Sequence, residues 1–466
     1  MLLRTILTIC CLSSIFLVDT ASAQLRYSLK KNTLPTKDLL SRFALERGWW
    51  GQAVVDPDGD EVLHLTVDDA FVFVQTHAGN TSALDIQTGK RIWSYKFGFV
   101  NDHSSPIVTD EDTVYFISGV HLVALNRFTG DEKWMLRLPG AISSQILVDE
   151  DQIYFGDITG MFYAIDKKRT NEFARKGELP RSSFDTINWR YRSADMVRFA
   201  PKRIEEEIIF VSDDGTMYGL ARTDKKQFMH FEGDSPVVAP LSNRGRQLYL
   251  SVADPSFRQD KRIFCLDEFT GQTLWQRVLT QPVLQRMIVI NDNLFVAPVR
   301  EGLMMLHADT GQQFWKNKEA VRFLSMTESF VLASDSLNNI VLIDRNTGST
   351  LGRLPLRSFT VRYQNEYTDR LYVSTKEGIV AEIREEGAEF PVFYRENKQQ
   401  PIDPEMAPNP GEESLVEPEP ATEPAAPMND DSFDLLGPDE NTKPDPKKKP
   451  AEKKEEDDDD GFFNFQ

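Results

Sequence analysis

The chain contains 466 residues, and its 72 Asp and Glu residues outnumber its 53 Lys and Arg residues to give a formal net charge of −19. An acidic balance of this size argues against nucleic acid as a partner, because phosphates attract basic surfaces. Only three cysteines are present, which argues against a fold held together by disulfides.

The first 23 residues read as a secretory signal. Arg4 precedes an apolar run from about Thr5 to Val18, and Ala21-Ser22-Ala23 provides an A-x-A cleavage site before Gln24. This run is shorter than the roughly 20 apolar residues that span a bilayer. We therefore expect cleavage between Ala23 and Gln24, export to the periplasm or cell envelope, and no transmembrane segment in the mature chain. Lipidation or retention of the signal is the alternative.

Residues 24–60 are expected to form an N-terminal segment with one short helix from Pro35 to Gly48. Apolar residues recur there at helical spacing, and Gly48 would end the helix. Trp49 and Trp50 follow, and we expect them to anchor the segment to the core rather than to stack on a ligand.

One pattern then recurs along most of the chain. Residues 83–93 read Ala-Leu-Asp-Ile-Gln-Thr-Gly-Lys-Arg-Ile-Trp, and related stretches occupy residues 124–134, 265–275, 305–315 and, without the final Trp, 342–352. The recurring positions hold a small residue, Asp or Asn, Thr-Gly and Trp. They are Ala83, Asp85, Thr88, Gly89, Trp93, Ala124, Asn126, Thr129, Gly130, Trp134, Asp267, Thr270, Gly271, Trp275, Thr310, Gly311, Trp315, Asp344, Thr347 and Gly348.

The spacing of this pattern indicates a β-propeller. From Gly89 to Gly130 is 41 residues, and the last three copies are 40 and 37 residues apart, which is the period of one four-stranded blade. Weaker copies fill the gaps and give eight units between about residues 61 and 390. Seven blades are the alternative, because strands from both termini often complete one blade.

Each unit contains four short β-branched or aromatic runs, named A to D, between turns rich in Asp, Gly and Thr. Between strands C and D, the Asp carboxylate can accept hydrogen bonds from turn amides, and Gly can adopt a positive φ. The Trp indole can fill the wedge between neighbouring blades. The pattern therefore predicts how blades turn and pack.

This pattern resembles the pyrroloquinoline-quinone (PQQ) repeat, or tryptophan-docking motif, found in quinoprotein dehydrogenases and in the BamB-like branch of outer-membrane protein assembly factors. The resemblance covers about residues 61–390. It implies an all-β fold, an eight-bladed propeller of four-stranded antiparallel blades within residues 61–396. It does not by itself imply a cofactor, since the motif holds blades together in both branches.

The quinoprotein branch implies a central PQQ with a Ca²⁺, a nearby Asp base and, in many members, a disulfide between adjacent cysteines. The only adjacent pair, Cys10 and Cys11, leaves with the signal, and no Glu, Asn and Asp set matches the calcium ligands. The six histidines lack metal-ligand spacing. We expect His307 to serve a turn, Cys265 to be a buried inert thiol, and the protein to use no catalytic residue, cofactor or metal.

Two insertions break the period, one around residues 179–193 and one at residues 254–262. We expect both to lie on the face that carries the B–C turns. Loops on a rigid scaffold are where binding residues concentrate, and these loops are more basic than the rest of the chain. The partner-binding candidates are Arg181, Arg190, Arg192, Arg258, Lys261 and Arg262. Solvated loops with scattered charges are the alternative.

Residues 397–466 form a tail of different composition. From Lys398 onward, 20 acidic residues stand against 7 lysines, and 12 of the 25 prolines lie here. Such a segment buries too little apolar surface to offset its ordering entropy, so we expect disorder. Its acidic run and terminal aromatic residues leave a docking role open beside a solubilising one.

The sequence favours an exported, monomeric, non-enzymatic scaffold that binds protein partners in the cell envelope. The BamB-like resemblance implies that a partner belongs to the outer-membrane assembly machinery. The alternatives are a PQQ- and Ca²⁺-dependent dehydrogenase, another small-ligand-binding propeller, and an extracellular adhesive protein.

Overall fold

A computed structural model shows a ring of eight β-sheets. It describes residues 34–100, 102–180, 183–233, 235–254 and 261–394, so the predicted signal at 1–23 and the tail from 397 lie outside the described residues. Each sheet has four antiparallel strands. The eight-bladed propeller that the repeat predicts is confirmed, and the seven-bladed alternative is wrong.

Strands β2 to β17 form blades 1 to 4 in sequential order. Blade 1 contains β2 (Val62–Val67), β3 (Phe71–Thr76), β4 (Asn80–Asp85) and β5 (Arg91–Lys96). Blade 2 contains β6 (Val108–Thr109), β7 (Thr113–Ser118), β8 (His121–Asn126) and β9 (Glu132–Arg137). Blade 3 contains β10 (Leu147–Val148), β11 (Gln152–Gly156), β12 (Met161–Asp166) and β13 (Ile187–Arg192). Blade 4 contains β14 (Lys202–Ile204), β15 (Glu207–Val211), β16 (Thr216–Ala221) and β17 (Gln227–Glu232).

Strands β18 to β32 and β1 form blades 5 to 8. Blade 5 contains β18 (Ser242–Arg244), β19 (Gln247–Ala253), β20 (Lys261–Asp267) and β21 (Thr273–Val278). Blade 6 contains β22 (Ile288–Ile290), β23 (Asn293–Val296), β24 (Leu303–His307) and β25 (Gln313–Asn317). Blade 7 contains β26 (Ala320–Met326), β27 (Phe330–Asp335), β28 (Ile340–Asp344) and β29 (Thr350–Leu354). Blade 8 contains β30 (Val361–Arg362), β31 (Leu371–Ser374), β32 (Ile379–Glu385) and β1 (Leu45–Gln52).

Strand A of each blade lies nearest the central axis, where first strands of neighbouring blades contact one another, and strand D lies at the circumference. One rim of the ring carries the A–B and C–D turns and is named the C–D rim. The opposite rim carries the B–C turns and the connections from strand D to the next blade, and is named the B–C rim.

The eighth blade joins the two ends of the propeller. β1 pairs with β32 along its whole length, so it supplies strand D of a blade whose other strands come from the C-terminal end. Helix α1 covers only Lys37–Ser41. The predicted helix from Pro35 to Gly48 is therefore wrong in its second half, because residues from Leu45 onward pair in this sheet. Residues 45–52 belong to the propeller rather than to a separate N-terminal segment.

The buried core consists of eight clusters of apolar side chains, one at each seam between neighbouring blades. Six seams contain a tryptophan of strand D whose indole Nε1 donates a hydrogen bond of 2.7–3.0 Å to the next blade. These residues are Trp49, Trp93, Trp134, Trp189, Trp275 and Trp315. Trp50, by contrast, is 45% exposed, so only one of the two adjacent tryptophans anchors β1.

The C–D turns of blades 1, 2, 6 and 7 bring a glycine under the indole of the preceding blade. The Asp85 carboxylate accepts hydrogen bonds from N and Oγ1 of Thr88 at 2.8 and 2.6 Å, and Gly89 has φ 69°. A Cβ on Gly89 would lie 2.2 Å from the Trp49 ring. In blade 6, Nδ1 of His307 accepts from a turn amide in place of the carboxylate.

The seam between blades 7 and 8 lacks a tryptophan. Gly352 pairs with Leu342 as Trp93 pairs with Ala83, so a glycine occupies the indole position. A Cβ on Gly352 would lie 2.5 Å from Cε1 of Phe43, and Phe43 packs against the buried cluster of this seam. The phenyl ring between α1 and β1 therefore fills the space of the missing indole.

Replacing Phe43 with alanine should lower the free energy of unfolding by about 2–3 kcal/mol, because the lost ring leaves a cavity at a seam with no indole. Chemical denaturation followed by tryptophan fluorescence measures the change. Phe99→Ala is the control, since Phe99 is 81% exposed and its loss should cost less than about 0.5 kcal/mol. Equal effects of the two substitutions would contradict the assignment.

Charged turn residues form a second set of contacts across three successive seams on the C–D rim. Arg127 follows the last residue of β8 and pairs with Asp68 and Asp69 of blade 1. The corresponding pairs one and two blades further on are Lys167 with Asp110 and Arg222 with Asp149. Each cation thus comes from the residue after strand C and neutralises an acidic A–B turn of the preceding blade.

Candidate protein-interaction surface

The first insertion lies between strands C and D of blade 3. Helix α2, Lys167–Lys176, follows β12 directly; the Asp166 side chain caps its first turn, and Gly177 ends it at φ 70°. A 3₁₀ turn at Ser183–Thr186 then leads into β13. The extra residues therefore fall before β13, and the predicted position at 179–193 is wrong where it overlaps this regular strand.

Trp189, Arg190 and Arg192 belong to that strand. Trp189 is 7% exposed and donates to the Arg222 carbonyl at 3.0 Å, whereas both arginines are exposed. The residues Ile-Asn-Trp-Arg-Tyr-Arg of β13 repeat the alternation Arg-Ile-Trp-Ser-Tyr-Lys of β5. This alternation is the sequence signal that would have identified strand D of blade 3.

The second insertion connects β19 to β20, which makes it a B–C connection; its residues 255–260 lie outside the described part of the chain. C–D and B–C connections leave opposite ends of an antiparallel blade. The two insertions therefore lie on opposite rims, and the prediction that they share one face is wrong.

The structure separates the basic candidates. Arg190 and Arg192 lie at the circumference of blade 3, while Lys261 and Arg262 begin β20 of blade 5. Lys261 Nζ donates to the Thr280 carbonyl at 3.0 Å, and the Arg262 guanidinium lies 5.2 Å from the centre of the Phe264 ring. Arg181 and Arg258 are not among the described residues. Blade 4 lies between the two described pairs, so they do not form one patch.

A groove of about 520 Å³ opens beside Arg190 between blades 3 and 4. Its lining residues come from the 3₁₀ turn, β13 and the C–D turn of blade 4. They are Phe184, Ile187, Asn188, Trp189, Arg190, Thr223, Asp224 and Lys225. Phe184 is 56% exposed, and Lys225 Nζ donates to the Arg190 carbonyl at 3.3 Å. The groove thus presents an aromatic ring beside two cationic side chains.

Lys225 lines this groove from a turn that departs from the repeat pattern. It follows the end of β16 by the same four residues that separate Gly89 from the end of β4, and its φ of 56° is left-handed. A long side chain therefore stands where the corresponding turns of blades 1, 2, 6 and 7 place a glycine against the indole. Sequence reasoning missed Phe184 and Lys225, because neither belongs to the repeat pattern.

A second exposed surface lies on the B–C rim of blades 1 to 3. Phe99, Val100 and Ile158 are 81%, 66% and 55% exposed. They occupy the connection after β5 and the B–C turn of blade 3, with the half-exposed Val120 turn of blade 2 between them. Exposed apolar residues that are scattered singly are common on protein surfaces, so these side chains do not by themselves assign a partner surface.

Titratable groups predicted to serve turns and packing lie in turns and in the core. The Asp149 carboxylate accepts from the amides of Asp151 and Gln152 at 2.7 and 2.6 Å. Burial raises the pKa of the Cys265 thiol to about 12. Within the described ranges, no group of three or more His, Cys, Asp or Glu residues is placed to hold a metal ion.

The eight four-stranded blades, with indoles docked at six of the seams between them, define a PQQ-like β-propeller. The family described as outer membrane protein assembly factor BamB matches residues 50–174 and 248–385, more than half of the chain. The chain belongs to this family.

Two curated relatives carry the same description. The chain is 23% identical to the protein of Nitrosomonas eutropha over 227 residues, which are 46% of this chain and 50% of that protein. It is 22% identical to the protein of Yersinia pestis over 293 residues, which are 58% of this chain and 70% of that protein. The alignment thus spans half the length of the first relative.

Two solved structures share the fold. The crystal structure of BamB from Moraxella catarrhalis matches with a TM-score of 0.56 and 14% identity, covering 73% of this chain and 97% of that one. The computationally designed Ika8 protein matches with a TM-score of 0.54 and 16% identity, covering 71% and 99%. The helices found among the described residues are too short to cross a bilayer.

Proposed function

We propose that this protein is a non-enzymatic scaffold of the bacterial cell envelope that binds proteins engaged in outer-membrane protein assembly. The observation that carries the proposal is the family match, which covers blades 1 to 3 up to α2 and blades 5 to 8. The signal predicted at residues 1–23 supports export, and the protein is expected to act as a monomer.

The groove beside Arg190 is the partner contact that we assign to this scaffold. It lies between the two matched segments, where this chain departs from the family pattern. Aromatic and arginine side chains are enriched in protein interfaces, and Phe184 with Arg190 supplies both on a rigid blade. The B–C rim candidates Lys261 and Arg262 form a separate surface that a partner could contact independently.

Site-specific photo-crosslinking of the full chain in envelope preparations tests the proposal. A photoreactive residue at Asn188, in the groove, should label a protein of the outer-membrane assembly machinery. The same residue at Ile92 is the matched control, because Ile92 precedes Trp93 in blade 1 as Asn188 precedes Trp189. Equal labelling from both positions would contradict the groove as the partner contact. Labelling that includes no protein of the assembly machinery would contradict the proposed function.

Charge reversal at the groove is the accompanying prediction. Arg190→Glu combined with Lys225→Glu should reduce crosslinking from Asn188 about tenfold. The two new carboxylates would repel the acidic groups of a partner that the native cations attract, and like charges that face each other weaken association. Lys261→Glu, on the opposite rim, should leave this labelling unchanged. Saturable binding of PQQ with Ca²⁺ that raises Tm would instead favour the dehydrogenase alternative.

A further inference from the structure

The seam between blades 4 and 5 departs from its neighbours in its packing. Met229 occupies the tryptophan position of β17, since it pairs with Gly219 as Trp93 pairs with Ala83. A Cβ on Gly271 would lie 3.5 Å from Met229, whereas one on Gly130 would lie 2.7 Å from the Trp93 ring. This seam therefore lacks both the indole hydrogen bond and the close glycine contact.

The same seam also departs in its charges. Arg127, Lys167 and Arg222 each follow strand C and pair with an acidic turn of the preceding blade. In blade 5 the residue at this position is Glu268, which faces the acidic A–B turn of blade 4. A carboxylate therefore stands where three successive seams place a cation.

Glu268 is buried and poorly compensated. Its side chain is 1% exposed, and its Oε2 has no hydrogen-bond partner among the described residues. The nearest cation is Arg246, whose Nε lies 3.5 Å from Oε1 and whose side chain is 62% exposed. The charged groups around it are Arg246 in its own blade, Glu205 and Glu207 across the seam, and Asp267 beside it.

We propose that the seam between blades 4 and 5 is a proton-controlled latch, which is closed while Glu268 carries a proton and loosens when this carboxyl group ionises. The proton takes the place of the cations that close the three preceding seams. This inference is independent of the proposed function, because it concerns the opening of the ring and not the binding of a partner.

The electrostatics give the latch its pH range. Burial raises the pKa of Glu268 to about 7, Arg246 opposes this, and Glu207, Glu205 and Asp267 raise it further. Burial and Glu205 also raise the pKa of Glu207. Since the folded pKa of Glu268 lies above its ordinary value of 4.5, the folded protein keeps a proton that the opened seam releases. Stability at this seam is therefore lost as the pH rises from about 4.5 to about 7.

Hydrogen exchange of the full chain between pH 5 and 8, corrected for the intrinsic exchange rates, tests the latch. The opening constant of β17 and β20, whose side chains Met229, Phe264 and Leu266 pack at this seam, should rise on the order of 100-fold across this range, as a pKa displacement of this size implies. β5 and β9, at indole-docked seams, serve as the internal control and should show no comparable change.

Three variants test whether ionisation of Glu268 causes the pH-dependent opening of this seam. Glu268→Gln should abolish the pH dependence at β17 and β20, and Glu268→Arg should keep them protected at every pH by restoring the cation of the three preceding seams. Glu207→Gln, at a half-buried position, should move the midpoint to lower pH without removing the buried carboxyl group. Unchanged pH dependence in Glu268→Gln, an unmoved midpoint in Glu207→Gln, or equal opening of all seams would overturn the proposal.

Discussion

Trp93→Ala should lower the free energy of unfolding by about 3–5 kcal/mol, which is the usual cost of removing a buried tryptophan. The indole is 7% exposed, packs with Phe73 at the seam between blades 1 and 2, and donates to the Arg127 carbonyl at 2.8 Å. Its loss leaves a cavity and a carbonyl without its donor. Urea denaturation followed by circular dichroism measures the change.

Trp50→Ala is the matched control for this result. Trp50 has the same side chain but is 45% exposed, so its removal should cost less than about 1 kcal/mol. If Trp93→Ala proved as mild as Trp50→Ala, the indoles would not be what holds neighbouring blades together, and the repeat pattern would need another physical explanation.

Arg127→Ala should cost about 3–5 kcal/mol at neutral pH, because it removes one partner from a buried ion pair and leaves the other charge uncompensated. The Arg127 and Asp68 side chains are 4% and 8% exposed, and the guanidinium also contacts Asp69. Chemical denaturation at several pH values measures the loss.

The loss of unfolding free energy caused by Arg127→Ala should become smaller as the pH is lowered. Burial raises the pKa of Asp68 even with Arg127 opposing it, so without the arginine this carboxyl group takes up a proton more readily and ceases to be a buried charge. Arg198→Ala is the control, since Arg198 is 58% exposed in its pair with Asp213 and exposed pairs contribute about 0–1 kcal/mol. A pH-independent loss in Arg127→Ala would show that lost packing, not charge, is its cause.

The repeat was sufficient to predict the architecture because its turn chemistry is local. An Asp that accepts from Thr amides, a left-handed Gly and a Trp four residues later lie within a few residues of one another, so their spacing reports the blade period directly. The four runs predicted in each unit also agree with the four strands of each blade, since alternating β-branched residues between turn residues are visible in one short window.

The departures from prediction have a common physical origin in contacts between distant parts of the chain. Nothing local to Leu45 shows that its partner is Glu385, so β1 resembled the end of a helix. Nothing local to Gly352 shows that Phe43 will fill its space. Without a comparison with β5, nothing local to Trp189 shows that it belongs to strand D of blade 3 and not to the insertion before it, and this ambiguity decides on which rim the insertion lies.

The groove beside Arg190 and the buried carboxyl group at the seam between blades 4 and 5 could not be predicted from the sequence for the same reason. Phe184 and Lys225 come from a 3₁₀ turn of blade 3 and a C–D turn of blade 4 and line one groove only in the folded ring. Glu268 resembles an ordinary turn residue until Glu205 and Glu207 are placed across from it. The sequence supports the expectation that binding residues lie on loops of a rigid ring, but it does not show which loops meet.

The pairing of β1 with β32 also sets an order of events during biosynthesis. The two strands are separated by more than 300 residues, whereas the other blades pair strands that follow one another closely. Contacts between distant residues form slowly because a long loop must close first. A chain that emerges from its N-terminus can build its first seven blades in turn, while β1, the earliest strand made, waits unpaired until residue 385 has arrived. Ring closure is then the last step of folding.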